Sequence, residues 1–545
     1  MRTGAPPRGG LARARTSARR LLHARSAAPA LALLAALWAG LFLNLGAIPL
    51  FDVDEGAFAE ATREMLGRGD YVSTWLNGQP RFDKPILIYW LQAASSAAFG
   101  LDEFALRLPS SLAACTWVAA VFAFTRRFVD QGTAWAAAFI AATSVGVTVI
   151  GRGAIADALL NLLLALAMFD IIRYQDESHA DGRPGLRRRV FFWIGLGLLT
   201  KGPVALLVPG AASALAYGVL GRLREWGRAA CDPAGWLILL VVAAPWYLLE
   251  TARRGDAFLA GFFMRHNVER FMAPLQGHGG SLLYYAPALL LLVLPYSTLF
   301  IATLPGLRRA WRARRDQPVD TFLWCWFLFV LVFFSLASTK LPHYLLYGVT
   351  PLFVLMARAR HRLRSNWIAF APALLFLGAV LALPFVLARA APALRNPYLR
   401  EALGRAEAFG PAWLAGAALL LGVAFGLALW RRAPLWPRLA AAALLCSCAT
   451  GALLLPALAA LQQGPVREAA LLARSRGWAV HSWHINAPSF SVYRGAVTPG
   501  AAASGAGARP GPGQVILTRS DALPALGAVQ VLYRKGGIVL LRMPE

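Results

Sequence analysis

Residues 27–55 read AAPALALLAALWAGLFLNLGAIPLFDVDE, an apolar run from Ala27 to Leu50 that ends abruptly in the carboxylates Asp52, Asp54 and Glu55. A bilayer core takes roughly 20 residues of helix, so the run is long enough to cross one. A basic leader precedes it, but no polar cleavage region follows, so we read it as a retained span rather than a secretory signal. Comparable runs recur to about Leu461, about thirteen in all by hydropathy. With 58% of its 545 residues hydrophobic and 15% charged, the chain reads as an all-α polytopic membrane protein.

The formal charge of +27 raises the question of nucleic acid, but the basic residues form no single patch. They come in small clusters between apolar segments: Arg19 and Arg20, Arg126 and Arg127, Arg187 to Arg189, Arg222 to Arg228, Arg308 to Arg315, Arg358 to Arg364, and Arg431 to Arg438. On thirteen spans these clusters all fall on one side, which the positive-inside rule makes the cytoplasm. The expected protein is therefore multi-pass in a bacterial inner membrane, with a cytoplasmic N-terminus and a periplasmic C-terminus, and nucleic acid is excluded as a partner. The five cysteines lie in or beside apolar segments and read as small buried hydrophobes, not as a disulfide or zinc framework.

The expected domains are a membrane unit, 1–461, whose first outer loop is 51–103, and a small periplasmic α/β domain, 462–545. The loop is acidic in a basic chain, with nine acids against four bases. It contains a helical stretch from Glu55 to Leu66 and an apolar segment, Pro85 to Phe99, suited to the membrane interface. A second outer loop runs from Thr251 to Ser281. Beyond Leu461 the pattern predicts a helix over Val466 to Arg476, strands over Ala479 to Trp483 and Gln514 to Thr518, and a hairpin over Val529 to Met543 turning at Gly536-Gly537.

Ionisable residues at the edge of a membrane are costly, and they mark where chemistry is to be sought. The chain has only four lysines, and three stand in Asp83-Lys84-Pro85, Thr200-Lys201-Gly202-Pro203 and Thr339-Lys340-Leu341-Pro342, all at outer span ends on this topology. Converging ammonium groups would make a phosphate site; the plainer reading is that each snorkels to the interface. Adjacent helical residues point about 100° apart, so Asp54 and Glu55 divide their tasks: one serves as general base on an acceptor hydroxyl, and the other holds backbone or substrate. Asp157 enters an apolar helix and needs a partner, Arg152 or a lysine. Arg270 is a further phosphate candidate, and His343 and Tyr344 can meet a headgroup or simply belong to the aromatic belt. Asp83 with His266 offers two ligands for a divalent cation, a thin donor set.

These residues, read in order, resemble a known pattern. Asp54-Glu55, Glu60 to Met65, Leu76-Asn77-Gly78, Phe82 to Pro85, Tyr89-Trp90-Leu91, Arg107 to Ser110, Leu199 to Pro203, His266 to Phe271, Gly277 to Gly280 and Ser338 to Tyr344 are similar to the motifs of the bacterial aminoarabinose transferase group. That group lies within the protein O-mannosyltransferase-like GT-C membrane glycosyltransferases. The resemblance implies a GT-C fold and inverting transfer of a sugar from a polyprenyl-phosphate donor to a lipid or protein acceptor, as in lipid A modification or protein O-glycosylation. It implies Asp54 as the base and Lys84, Arg270 and the Tyr344 region as handling the lipid phosphate; the residues themselves add Glu55, Asp157, Lys201, Lys340 and His343 as expected substrate contacts, with no required cofactor. A divalent cation at Asp83 and His266 is its one cofactor candidate, although the group commonly has glutamate at the Asp83 position. Ala57-Phe58 stands where the group carries Arg-Tyr, so neither aminoarabinose nor lipid A is carried over. A flippase of lipid-linked saccharides is the rival class; it needs charges along a path through the membrane, and mid-span charges here are few.

Overall fold

The computed structural model describes residues 27–177, 184–262, 264, 280–500 and 510–545. Helix α1, Ala27–Phe42, leads into the acidic loop. There α2, Asp54–Arg68, begins with two acids that favour its N-terminal dipole and ends at Gly69, whose φ of 66° only glycine adopts readily. Strands β1, Trp75–Leu76, and β2, Gln79–Pro80, pair around Asn77-Gly78, both left-handed, as a two-residue hairpin turn requires. Helix α3, Leu87–Phe99, then returns the chain to the bundle.

The bundle continues with α4 (Glu103–Phe128), α5 (Gln131–Thr143), α6 (Val145–Gly151), α7 (Asp157–Glu177), α8 (Pro184–Lys201), α9 (Val204–Val219), α10 (Leu223–Ala230) and α11 (Pro233–Arg254). Asp102 and Asp130 cap α4 and α5 by accepting from the amides of Ala105 and Thr133, each at 2.8 Å. Among the described residues six helices are long and apolar enough to cross a membrane, and two bent pairs bring the number to eight. One bent pair is α5 with α6, at 61°. Helix α7 carries buried charge that is paired. Asp170, 1% exposed, meets Arg189 at 3.0 Å, Arg173 at 3.5 Å and the Trp193 indole at 2.9 Å. Helix α12, Pro318–Leu336, is among the six.

Past the last long helix, α13 (Gly464–Ser475), β3 (Val480–Ser482), α14 (Pro488–Arg494), β4 (Val515–Arg519), β5 (Gln530–Lys535) and β6 (Ile538–Arg542) form an α/β unit. The sheet order is β3-β4-β6-β5, with β3 parallel to β4 and the other pairs antiparallel. The β5–β6 hairpin turns at Gly536-Gly537, where both φ angles are positive. Both faces of β4 and β6 are covered: Leu517 and Leu540 pack under α13 and α14, and Ile516 and Leu541 pack with Trp483 and Leu526. The cysteines are all free, and Cys325 and Cys446 are buried, but Cys231 is exposed at the end of α10, where no apolar neighbour covers it.

Candidate active site

The two acids opening α2 have different surroundings. Glu55, 7% exposed, accepts from Arg107 Nε at 2.9 Å and Nη2 at 2.7 Å, from the Phe51 amide at 2.9 Å and from the Ala154 amide at 2.7 Å. Burial alone would push its carboxyl up, but Arg107 and the two amides outweigh it and hold the pKa below the ordinary value. Arg107 also donates to the carbonyls of Leu45, Ile48 and Pro49, so the pair staples the segment entering the loop. Glu55, expected among substrate contacts, is thus placed on backbone and Arg107. Asp54, one residue earlier, is exposed and lines a cavity of about 280 Å³ with Asp52, Phe51, Val149, Ile155 and Leu455.

Arg81, which the sequence analysis only counted, is nearly buried, lies over the Phe58 ring at 5.0 Å and meets Asp83 at 3.4 Å. Burial would weaken its cation, but its neighbours, Asp83 and Asp54 among them, hold its pKa above the ordinary value. Lys84 donates to the Asp83 carbonyl at 3.0 Å. The Asp83 carboxylate, expected to meet a divalent cation, stands 3.4 Å from Arg81. Among the described residues no group of three or more His, Cys, Asp or Glu could hold a metal. His266 and Arg270 lie outside the described residues.

A second cluster forms where α7 begins and α8 ends. Lys201 Nζ donates to Asp157 Oδ1 at 2.6 Å, Tyr347 OH donates to the same oxygen at 3.1 Å, and His343 Nε2 lies 3.8 Å away. The ammonium sits 5.7 Å and 5.5 Å from the ring centres of Tyr344 and Tyr347. Asp157 therefore pairs with a lysine and not with Arg152, which donates to the carbonyls of Gly40 and Leu43. Lys340, expected to join this group, is instead 5% exposed and donates to Ser335 O at 3.0 Å and Ala337 O at 2.6 Å, closing the C-terminus of α12, where a cation is favoured.

Two links join the clusters. Ala154, bonded to Glu55, is three residues from Asp157, a span of at most about 11 Å. Phe82, beside Asp83, packs edge-on to Phe258 at 5.9 Å, and Phe258 stacks on Phe262 at 5.6 Å. Phe262 lies so close over Gly202, whose φ is +81°, that a Cβ there would fall 2.6 Å from its ring. Only glycine fits after Lys201.

The C-terminal unit reaches this region through α14. Asp52 accepts from the amide of Ser489 at 2.9 Å and from its hydroxyl, and the Gln463 side chain spans Asp52 N and Oδ2 at 3.1 and 3.2 Å. Tyr493 OH accepts from Leu50 N at 2.7 Å and donates to Glu103 at 3.1 Å, while Ser491 bonds Asn77 at 2.6 Å. Burial pushes the Asp52 carboxyl from 3.8 up to about 7, against the lowering effect of Ser489. The folded protein therefore keeps a proton that the unfolded chain releases. The stability this contributes is full below about 4 and is lost as pH rises toward about 7. Ser489→Ala removes a bond that favours the carboxylate, so the decline should extend to higher pH than in wild type. Thermal midpoints of both proteins from pH 5 to 8 check this, and superimposable profiles would refute it.

With this geometry in place, comparison with known proteins is informative. A family model described as dolichyl-phosphate-mannose-protein mannosyltransferase matches residues 83–249. An undecaprenyl phosphate-alpha-4-amino-4-deoxy-L-arabinose arabinosyl transferase from Serratia proteamaculans is 34% identical over 310 residues, 56% of this chain and 55% of that one. Its Aeromonas hydrophila counterpart is 33% identical over 317 residues, 58% and 57% of the two chains. The chain thus spans little more than half the length of the curated relatives it matches. ArnT from Cupriavidus metallidurans, solved bound to undecaprenyl phosphate, superposes with a TM-score of 0.78 over 94% of this chain and 97% of that one, at 21% identity. Its apo form superposes equally well. The fold is that of ArnT. In sequence, 56–58% of the chain is similar to the arabinosyl transferases.

Proposed function

We propose that this protein is an inverting glycosyltransferase that moves a sugar from a polyprenyl-phosphate donor to a lipid or protein acceptor. The observation that carries the reading is an exposed carboxylate, Asp54, on a cavity, with the Arg81 cation close enough to feel its charge and the Lys201–Asp157 pair linked to the same loop through Glu55 and Ala154. The arabinosyl transferase activity of the relatives and the undecaprenyl phosphate bound to ArnT agree with it. In the reaction the acceptor hydroxyl attacks the anomeric carbon opposite the phosphate. Its proton passes to Asp54, the sugar–phosphate C–O bond breaks, and polyprenyl phosphate leaves with the bonding pair. The cations offset the charge that grows on the leaving phosphate, and no acid catalyst is needed. Lys201, held by Asp157 under two tyrosines, is the pre-set member of that group, and Arg270 and His343 are proposed to complete it.

On this reading the chain threads the inner membrane about thirteen times with its C-terminus outside, and units 1–461 and 462–545 flank a periplasmic site. The test uses the full chain in proteoliposomes with a labelled polyprenyl-phosphate sugar and an envelope glycolipid extract. Label should move to an acceptor and leave free polyprenyl phosphate. Passage of the intact donor across the bilayer without loss of sugar would make the protein a transporter instead.

A further inference from the structure

Helices α7 to α11 enclose a second cavity, of about 350 Å³, within the range of ligand pockets, and its wall runs along α9 from Leu206 to Tyr217. Its far end, at Tyr174, is seventeen residues along α7 from Asp157, roughly 25 Å of helix, and so is remote from the candidate active site. Its lining is apolar: Ile171, Ile194, Leu207, Tyr217, Trp226 and Trp236. Both indole N–H groups are already used, Trp226 on Ser213 Oγ at 2.9 Å and Trp236 on Ala230 O at 2.8 Å, so the rings offer only hydrocarbon faces inward. Leu206, Leu207 and Trp236 are 37–40% exposed, so the cavity opens sideways onto the apolar flank of the bundle.

Its rim is cationic. Arg187 lines it, and residues 184–189 and 222–232 hold six arginines against Glu225, Asp232 and the neighbouring Asp170, which meets Arg189. Asp232 is taken by Arg187 at 2.8 Å and Glu225 by Arg222, whereas Arg224 and Arg228 stand exposed on the short surface helix α10. An apolar slot open to lipid, edged by tryptophan and by arginines in excess of acids, matches an amphiphile with a hydrocarbon chain and a negative head.

We propose that this cavity holds one acyl chain of an anionic glycerophospholipid from the leaflet opposite the candidate active site, with its phosphate among the arginines of α8 and α10. Gly210 gives a clean test. It lies on the cavity wall, and a Cβ there meets nothing within 4 Å, so Gly210→Leu fills the slot without a clash and suits a helix better than glycine. The full-length protein, equilibrated with phosphatidylglycerol and phosphatidylcholine in mixed micelles, is examined by native mass spectrometry. Wild type should retain one phosphatidylglycerol in about 10-fold preference. Gly210→Leu should lose that retention with an unchanged thermal midpoint, and Arg224→Gln with Arg228→Gln should keep a lipid but lose the preference for charge. Equal retention by Gly210→Leu, indifference of wild type to the headgroup, or retention of detergent alone would each overturn the proposal.

Discussion

Asp54→Asn should lower the rate of sugar transfer by between about 10²- and 10⁴-fold, the range a positioned general base supplies. Asparagine keeps the shape of the side chain and removes its capacity to take a proton. The fold should tolerate the change, because neighbours hold the loop: Glu55 bonds Arg107 and two backbone amides, and Asp52 bonds Ser489. What Asp54 gives α2 is a first-turn charge, about 0.3–1 kcal/mol at an exposed position. Binding of polyprenyl phosphate, which depends on the cations, should stay within about 3-fold of wild type, a difference of under 1 kcal/mol. The decisive measurement is single-turnover transfer at saturating donor. A variant turning over within tenfold of wild type would remove Asp54 from the reaction.

Much of the framework could be read from the chain because it depends on local signals. The hairpin expected over Val529 to Met543 forms at the Gly536-Gly537 turn, with an irregularity between Val531 and Tyr533 that the pattern does not carry. Glu55 to Leu66 read as a helix and lies within α2, Asp54–Arg68. Other features depended on partners far along the chain. Lys340 looks like Lys201 in its Thr-Lys-x-Pro setting, but it sits just past a helix whose open carbonyls capture the ammonium. Asp52 was overlooked beside the Asp-Glu pair because its partner, Ser489, is over 400 residues away on α14. That seven-residue helix, rich in serine and proline, has no periodic apolar face; its position is set by α2, against which Gly56 leaves no room for a Cβ beside Ser489. Tyr347 is not singled out by the sequence because it stands three positions after Tyr344, and only the 3₁₀ geometry of Pro342–Gly348, with three residues per turn, brings both rings to Lys201.

Arg107→Met should cost about 3–5 kcal/mol, since removing one member of a buried ion pair leaves the other charged in a site closed to water. The guanidinium bonds Glu55 twice and the carbonyls of Leu45, Ile48 and Pro49, so methionine also leaves three acceptors without their donor. The loss should appear as a lower thermal midpoint in detergent at neutral pH. Two contributions to it can be separated. If the stranded Glu55 charge dominates, adding Glu55→Gln to Arg107→Met should restore more than half of the loss, because the glutamine can still accept from the Phe51 and Ala154 amides. If the orphaned carbonyls dominate, the double variant should melt with the single one. The first outcome is expected, because an uncompensated buried carboxylate is costlier than three carbonyls that keep a second lone pair for neighbouring donors. An Arg107→Met protein that melts with wild type would mean that Glu55 is not closed from water, and the base and its staple would then have to be assigned afresh.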